Sequence, residues 1–185
     1  MIISRTRRIF VLPPRNTTSQ KQSWSCPPNG WIKCNYDASC PQQNHLTAAG
    51  WLFRDSTGVF LGAGQAKGRQ DLSVLESEMQ NLILAMQTAW SLGFTKVVFE
   101  GDCKEISNIL NHKHPHFGVF NWTRDIQDWK SRFEEIKFSW IQRDQNVLAD
   151  ILSKQQISND SIFHFSKFVP QILSDALHCD YISVH

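Results

Sequence analysis

The chain of 185 residues has no apolar run close to the ~20 residues a membrane-spanning helix needs, so no stretch reads as a membrane span and no membrane partner is expected. Cysteine is sparse and unpaired in pattern. Five are present (Cys26, Cys34, Cys40, Cys103 and Cys179), with no C-x-x-C spacing. An odd count without that spacing argues against a disulfide framework or a zinc knuckle, and for a reducing intracellular compartment such as nucleus or cytoplasm. No segment repeats, which leaves out solenoids and propellers. Acidic residues are missing altogether from positions 1–36, which carry six Lys or Arg.

What is present suits one globular domain with extensions. Hydrophobic residues make up 41% of the chain and there are seven Trp, enough to fill a core and to make wholesale disorder untenable. Residues 37–185 hold thirteen basic and seventeen acidic residues, the opposite of the usual bias of a nucleic-acid binder. Residues 1–23, Arg-rich and broken by Pro13 and Pro14, read as a basic disordered linker. The alternative reading is an organellar transit segment.

The turn-rich "WSCPPNGW" (24–31) marks the border of the folded part. β-forming residues follow at 31–39, "AAGWLFRD" (48–55) and "GVFLGAGQA" (58–66), the last two joined by the hairpin signal "DSTG". These predict an antiparallel meander. A helix is predicted from Val74 to Leu92, with Ser73 and Glu76 at capping-box spacing and Gly93 at its end. "TKVVFEGD" (95–102) is a fourth strand, Cys103 to Leu110 a short helix, 121–133 a Trp-bearing helix and "EIKFSWIQ" (135–142) a fifth strand. "NVLADILSKQ" (146–155) is a helix capped by Asn146. The fold class is α/β: a five-stranded mixed sheet, three antiparallel strands followed by parallel additions, flanked by helices. Residues 24–155 form the domain, and 156–185 a C-terminal extension with one further short helix.

Four acids stand at the mouths of these elements. Asp37 closes the first strand and Asp102 the fourth, while Glu78 and Asp150 lie in the first turns of the two main helices. Glu78 heads the file Leu82, Ala85, Ala89 and so faces the sheet, whereas Glu76 already has a capping role. Carboxylates gathered in one pocket repel each other and raise their pKa values. Hard divalent cations with oxygen ligands remove that cost, and a metal pair about 3.5–4 Å apart is the arrangement that breaks phosphodiesters.

These stretches, "WSCPPNGWIKCNYDAS", "AAGWLFRDSTGVFLGAG", "LESEMQNLILAMQTAWSLGFTKVVFEGDC" and "IQRDQNVLADILSKQ", resemble the type 1 ribonuclease H domain, in particular its retroelement-derived, reverse-transcriptase-like branch abundant in plants. The resemblance covers residues 24–155. It implies a ribonuclease H-like fold and metal-dependent endonuclease activity on the RNA strand of an RNA/DNA hybrid, with two Mg²⁺ ions as cofactors and Mn²⁺ as a substitute. By the same resemblance Asp37, Glu78, Asp102 and Asp150 are the catalytic and metal-binding residues. Asp37 would bridge the ions, Asp150 would complete the site that activates water, and Glu78 with Asp102 would hold the ion at the leaving 3′ oxygen. The product would carry a 5′-phosphate, and the 2′-hydroxyl would mark RNA. One departure stands out: the loop "QRDQN" before the last helix has no His where well-studied members place one, and carries Arg143 and Asp144 as the plant branch generally does.

Ser39, Cys40, Lys104, Arg143 and Asn146 are candidate substrate-binding residues by their nearness to the acids. Lys104 and Arg143 would meet phosphate, and Asn146 would support the site besides capping its helix. His112, His114 and His116 sit in a Pro-containing loop that reads as solvated rather than as a metal site. No obligate protein partner is evident. Two metal ions would offset the domain's negative balance, so hybrid binding is expected to be weak and salt-sensitive. The rival reading is a catalytically faded interaction module of the same fold. A related 3′–5′ exonuclease would place an acid two residues after the first Asp, where this chain has Ser39.

Overall fold

Apolar and polar residues alternate along β1 (Ile32–Ser39), while β2 (Ala48–Arg54) and β3 (Phe60–Lys67) are largely apolar or small runs, and the three pair antiparallel in chain order. The structure, a computed structural model, describes residues 23–40, 46–69, 72–112, 117–158 and 160–184, with the backbone alone at His112. The basic linker or transit reading and the loop with His114 and His116 lie outside the described residues. Asp55 fixes the β2–β3 turn, its carboxylate accepting from the Thr57 and Val59 backbone N–H groups at 2.8 and 3.0 Å. Gly58 completes the turn at φ +80°, a region glycine enters without steric cost.

Helix α1 (Val74–Ser91) starts at the expected capping box, Ser73 and Glu76 satisfying each other's backbone N–H, and ends before Gly93 at φ +79°. It carries the chain over to β4 (Lys96–Gly101), which runs parallel to β1. Helices α2 (Lys104–His112) and α3 (Phe120–Lys130) precede β5 (Glu135–Trp140), parallel to β4, and α4 (Val147–Lys154) follows. The five expected strands all form. The sheet is nevertheless six-stranded, in the order β5-β4-β1-β2-β3-β6, because β6 (Phe163–Ser166) pairs antiparallel with β3. This corrects the five-stranded expectation: four residues of a polar-looking tail carry too little periodicity to announce a strand, and β3 supplies the template. The tail ends in α5 (Ser174–Val184).

One sheet face is apolar. Cys34, Tyr36, Trp51, Phe53 and Phe99 pack on Met79, Leu82, Ala85, Met86 and Ala89 of α1, so the expected file on that helix is buried against the sheet. On the other face α4 covers Leu52 and Ala63 with Leu148, Ala149 and Leu152, joined by Leu173 of the tail. Beyond α4 that face turns polar. Lys33 pairs with Glu100 at 2.8 Å, and Asn35 lies between Glu100 (3.4 Å) and Arg54 (2.8 Å). Arg54, only 1% exposed, stacks its guanidinium 3.4 Å over the Trp24 ring and reaches Asp180 of α5 at 2.7 Å. Charges taken out of water must be compensated in this way. Among the described residues no helix is long and apolar enough to cross a membrane, and all five cysteines are free thiols.

Asp180 is therefore a structural partner contributed by the tail. Replacing it with Ala leaves a buried guanidinium short of its counter-ion, at a cost of about 2 kcal/mol given the partial exposure of the pair. Thermal unfolding of Asp180→Ala should show a midpoint several degrees below wild type, and an unchanged midpoint would mean the pair is inert.

Candidate active site

Asp37, Glu78 and Asp102 converge at the carboxyl end of β1 and β4. Their carboxylates offer oxygens that all lie within 4.8 Å of one another. Asp37 and Glu78 are buried at 4% and 5% exposure, and Asp102 is half-buried. Asp102 follows β4 directly, and Glu78 arrives from the first turns of α1, whose apolar file docks it on the sheet.

Polar contacts outside the acid quartet hold this geometry. The Ser153 hydroxyl donates to Asp37 Oδ2 at 2.5 Å. The Asn81 amide, wholly buried, donates to the backbone carbonyls of Asp37 and Gly50. Asn146 donates to the Tyr36 carbonyl at 2.9 Å. It holds the expected N-cap position of α4 but makes no side-chain cap bond, and its amide instead bridges the start of α4 to β1. Gly50 sits opposite Asp37 in the ladder, and a Cβ there would meet Leu152 backbone carbon at 2.7 Å. The missing side chain lets α4 lie on β2 and brings Ser153 to Asp37. Ser153 and Asn81 went unnoticed in sequence, although each stands three residues after an acid on the same helix face, the spacing that would have found them.

The electrostatics follow from burial. Desolvation, followed by Asp102 and Asp150 nearby, lifts Asp37 from 3.8 to about 6, against the opposing Ser153 bond. Desolvation first, then Asp37 and Asp102, push Glu78 well above the carboxylate range. Glu78 accepts from the Ala38 backbone N–H, yet its buried Oε2 has no hydrogen-bond partner. An orphaned buried oxygen among converging carboxylates is the donor set of a hard divalent cation. These three residues fit such an ion.

Asp150 is placed differently. It projects from α4 at the same end, but its oxygens are outside the close trio and are held by Arg143 Nη2 (2.9 Å) and Lys154 Nζ (2.6 Å). Burial raises its pKa, but these two cations outweigh that and bring it below the ordinary value. Of the other candidates, Lys104 is exposed at the start of α2 with its ammonium 5.4 Å from the Trp140 ring, and the Trp140 indole N–H donates to the Asp102 carbonyl. Ser39 ends β1, and the half-buried Cys40 donates its thiol to the Ser77 hydroxyl at 3.1 Å, turned toward α1.

A family profile described as reverse transcriptase-like matches residues 35–156, nearly the span over which the resemblance runs. The chain belongs to the reverse transcriptase-like family. A curated protein of Arabidopsis thaliana, provisionally named a ribonuclease H protein, is 27% identical over 163 residues, covering 85% of this chain. The chain spans only 25% of that relative's length. Ribonuclease H1 of the archaeon Halobacterium salinarum superposes with a TM-score of 0.61 at 19% identity, over 66% of this chain and 94% of that one. LC11 ribonuclease H1, from compost and solved with an RNA/DNA hybrid, gives 0.60 at 20% identity, over 71% and 96%. This reverse transcriptase-like domain is thus ribonuclease H-like in fold, a mixed sheet with flanking helices.

The raised Asp37 pKa has a signed consequence for the metal-free protein. Its carboxyl binds a proton more tightly folded than unfolded, so its penalty is absent below about pH 4, grows through the window to 6, and is complete above it. Asp37→Asn should match wild type in thermal stability at pH 4 in the presence of a chelator, and exceed it by about 2 kcal/mol at pH 7.5. A difference independent of pH would refute the assignment.

Proposed function

We propose that this domain is a metal-dependent endonuclease that hydrolyses the RNA strand of RNA/DNA hybrids. The observation that carries this reading is the buried trio Asp37, Glu78 and Asp102, with the unpartnered Oε2 of Glu78 among them. Three carboxylates held this close destabilise the empty fold, and a bound cation reverses the sign. Mg²⁺ suits the all-oxygen set, and Mn²⁺ shares that preference. Divalent cations bound there would supply Lewis-acid charge against the phosphodiester's developing negative charge and make water more acidic. The hybrid bound by the LC11 enzyme supports the choice of substrate.

The chain's own residues have distinct tasks in this reading. Asp37, fixed by Ser153 and by Asn81 at its carbonyl, presents its carboxylate in one orientation, which removes an ordering cost from the reaction. Glu78, buried, brings a carboxylate oxygen within 4.8 Å of those of Asp37 and Asp102 and adds the third ligand of the set. Asn146 locks β1 to α4 so that Asp37 and Asp150 keep their relative places. Lys104 and Arg143, exposed on the rim, meet the phosphate backbone. With so few basic residues there, binding is weak and its salt dependence shallow.

A second reading has one observation in its favour. Loop 142–146 contains no His, and Asp150 is engaged by two cations, as in an interaction module whose turnover has faded. A hybrid with labelled RNA, incubated with and without Mg²⁺, separates the two. The wild type should make internal cuts only with Mg²⁺, and Asp102→Asn should lower the rate by about two orders of magnitude or more while the protein stays folded. Hybrid binding without any cutting would instead favour the module, and trimming from an end would favour an exonuclease.

A further inference from the structure

Both carboxylate oxygens of Asp150 are engaged by cations of this same chain. Arg143 reaches Oδ1 at 2.9 Å from the loop before α4, and Lys154 reaches Oδ2 at 2.6 Å from one turn further along the helix. The carboxylate is therefore not offered to the trio, although Ser153, on the same helix, touches Asp37. A divalent ion approaching Asp150 would meet two positive charges within ~3 Å of its ligand atoms, and that repulsion opposes binding.

We propose that Arg143 and Lys154 form a phosphate-exchange clamp on Asp150: a nucleic-acid phosphate takes over the two cations, and the released carboxylate then completes a second metal position beside Asp37. The proposal rests on the nuclease reading above. The clamp is built to let go. The Arg143 and Lys154 side chains are 70% and 54% exposed, and exposed ion pairs are weak and screened by salt. A guanidinium fork and an ammonium bind phosphate at least as well as they bind a carboxylate. Arg143 also lowers the proton affinity of Asp37 and Glu78 through its charge, so it stands within electrostatic reach of the trio. Metal occupancy and nucleic-acid binding are then coupled, each tightening the other by the same factor.

Mn²⁺ titration of the full chain, followed by the electron paramagnetic resonance of the free ion, tests this. The probe is a 2′-O-methyl RNA/DNA hybrid, which cannot be cut. Wild type should bind one ion alone and a second once the hybrid is added. The variant carrying Arg143→Ala and Lys154→Ala should bind the second ion without hybrid, about five- to tenfold tighter than wild type does. Adding Asp150→Asn to that variant should abolish the gain. Lys104→Ala, which removes a charge from the same rim without touching Asp150, should not reproduce it. Equal binding by wild type and the clamp variant overturns the proposal, as does a gain from Lys104→Ala equal to that of the clamp variant. Failure of the nuclease reading looks different: no Mn²⁺ site in wild type is then sensitive to Asp37→Asn.

Discussion

Three carboxylates held closer together than their charges favour are the constraint around which this fold is organised. Asp37, Glu78 and Asp102 gain nothing from one another, and burial makes the charges of Asp37 and Glu78 more expensive. They stay together because surrounding parts leave them no alternative. Asn81 ties α1 to β1 through backbone carbonyls, Asn146 ties α4 to β1, and Gly50 removes the side chain that would keep α4 away. Both asparagine ties are neutral donors to backbone carbonyls, so neither neutralises the cluster. A protein that spends stability on preserving an unfavourable arrangement does so where ligand binding returns it.

Much of this is legible in the sequence. The capping box at Ser73, the Asp55 turn and the runs of β-forming residues in the first five strands are local signals, and local signals survive folding unchanged. The acids at strand and helix mouths were readable because topology carries a strand end and a helix start to the same edge of the sheet. What escaped depends on contacts between distant segments. Asn146 has the sequence of a cap, yet its Oδ1 accepts no bond from the helix, while its amide donates to the Tyr36 carbonyl 110 positions away. Ser153 and Asn81 looked like ordinary helix residues until the neighbouring acids gave their face a meaning. Asp150 was recognisable as an acid at a helix mouth, but its engagement by Arg143 depends on how the loop before α4 folds back, which no spacing encodes.

The tail was hidden for a related reason. Phe163 and Phe165 alternate over only four residues, and such a run becomes a strand when an edge such as β3 is already in place to template it. Its integration also accounts for the polar half of the second sheet face. Lys33, Asn35, Arg54 and Glu100 would be out of place in a core, and they are tolerable because Trp24 on one side and Asp180 on the other close over them.

That closure sets an order of events. Arg54 and Asp180 are 126 positions apart, while the β1–β2–β3 meander that carries Arg54 assembles from near neighbours. Short-range pairings form early and long-range ones late, since the chain entropy of closing a large loop must be met first. The guanidinium therefore keeps its hydration until α5 arrives, and a refolding experiment should see the environment of Trp24 settle last, after the sheet.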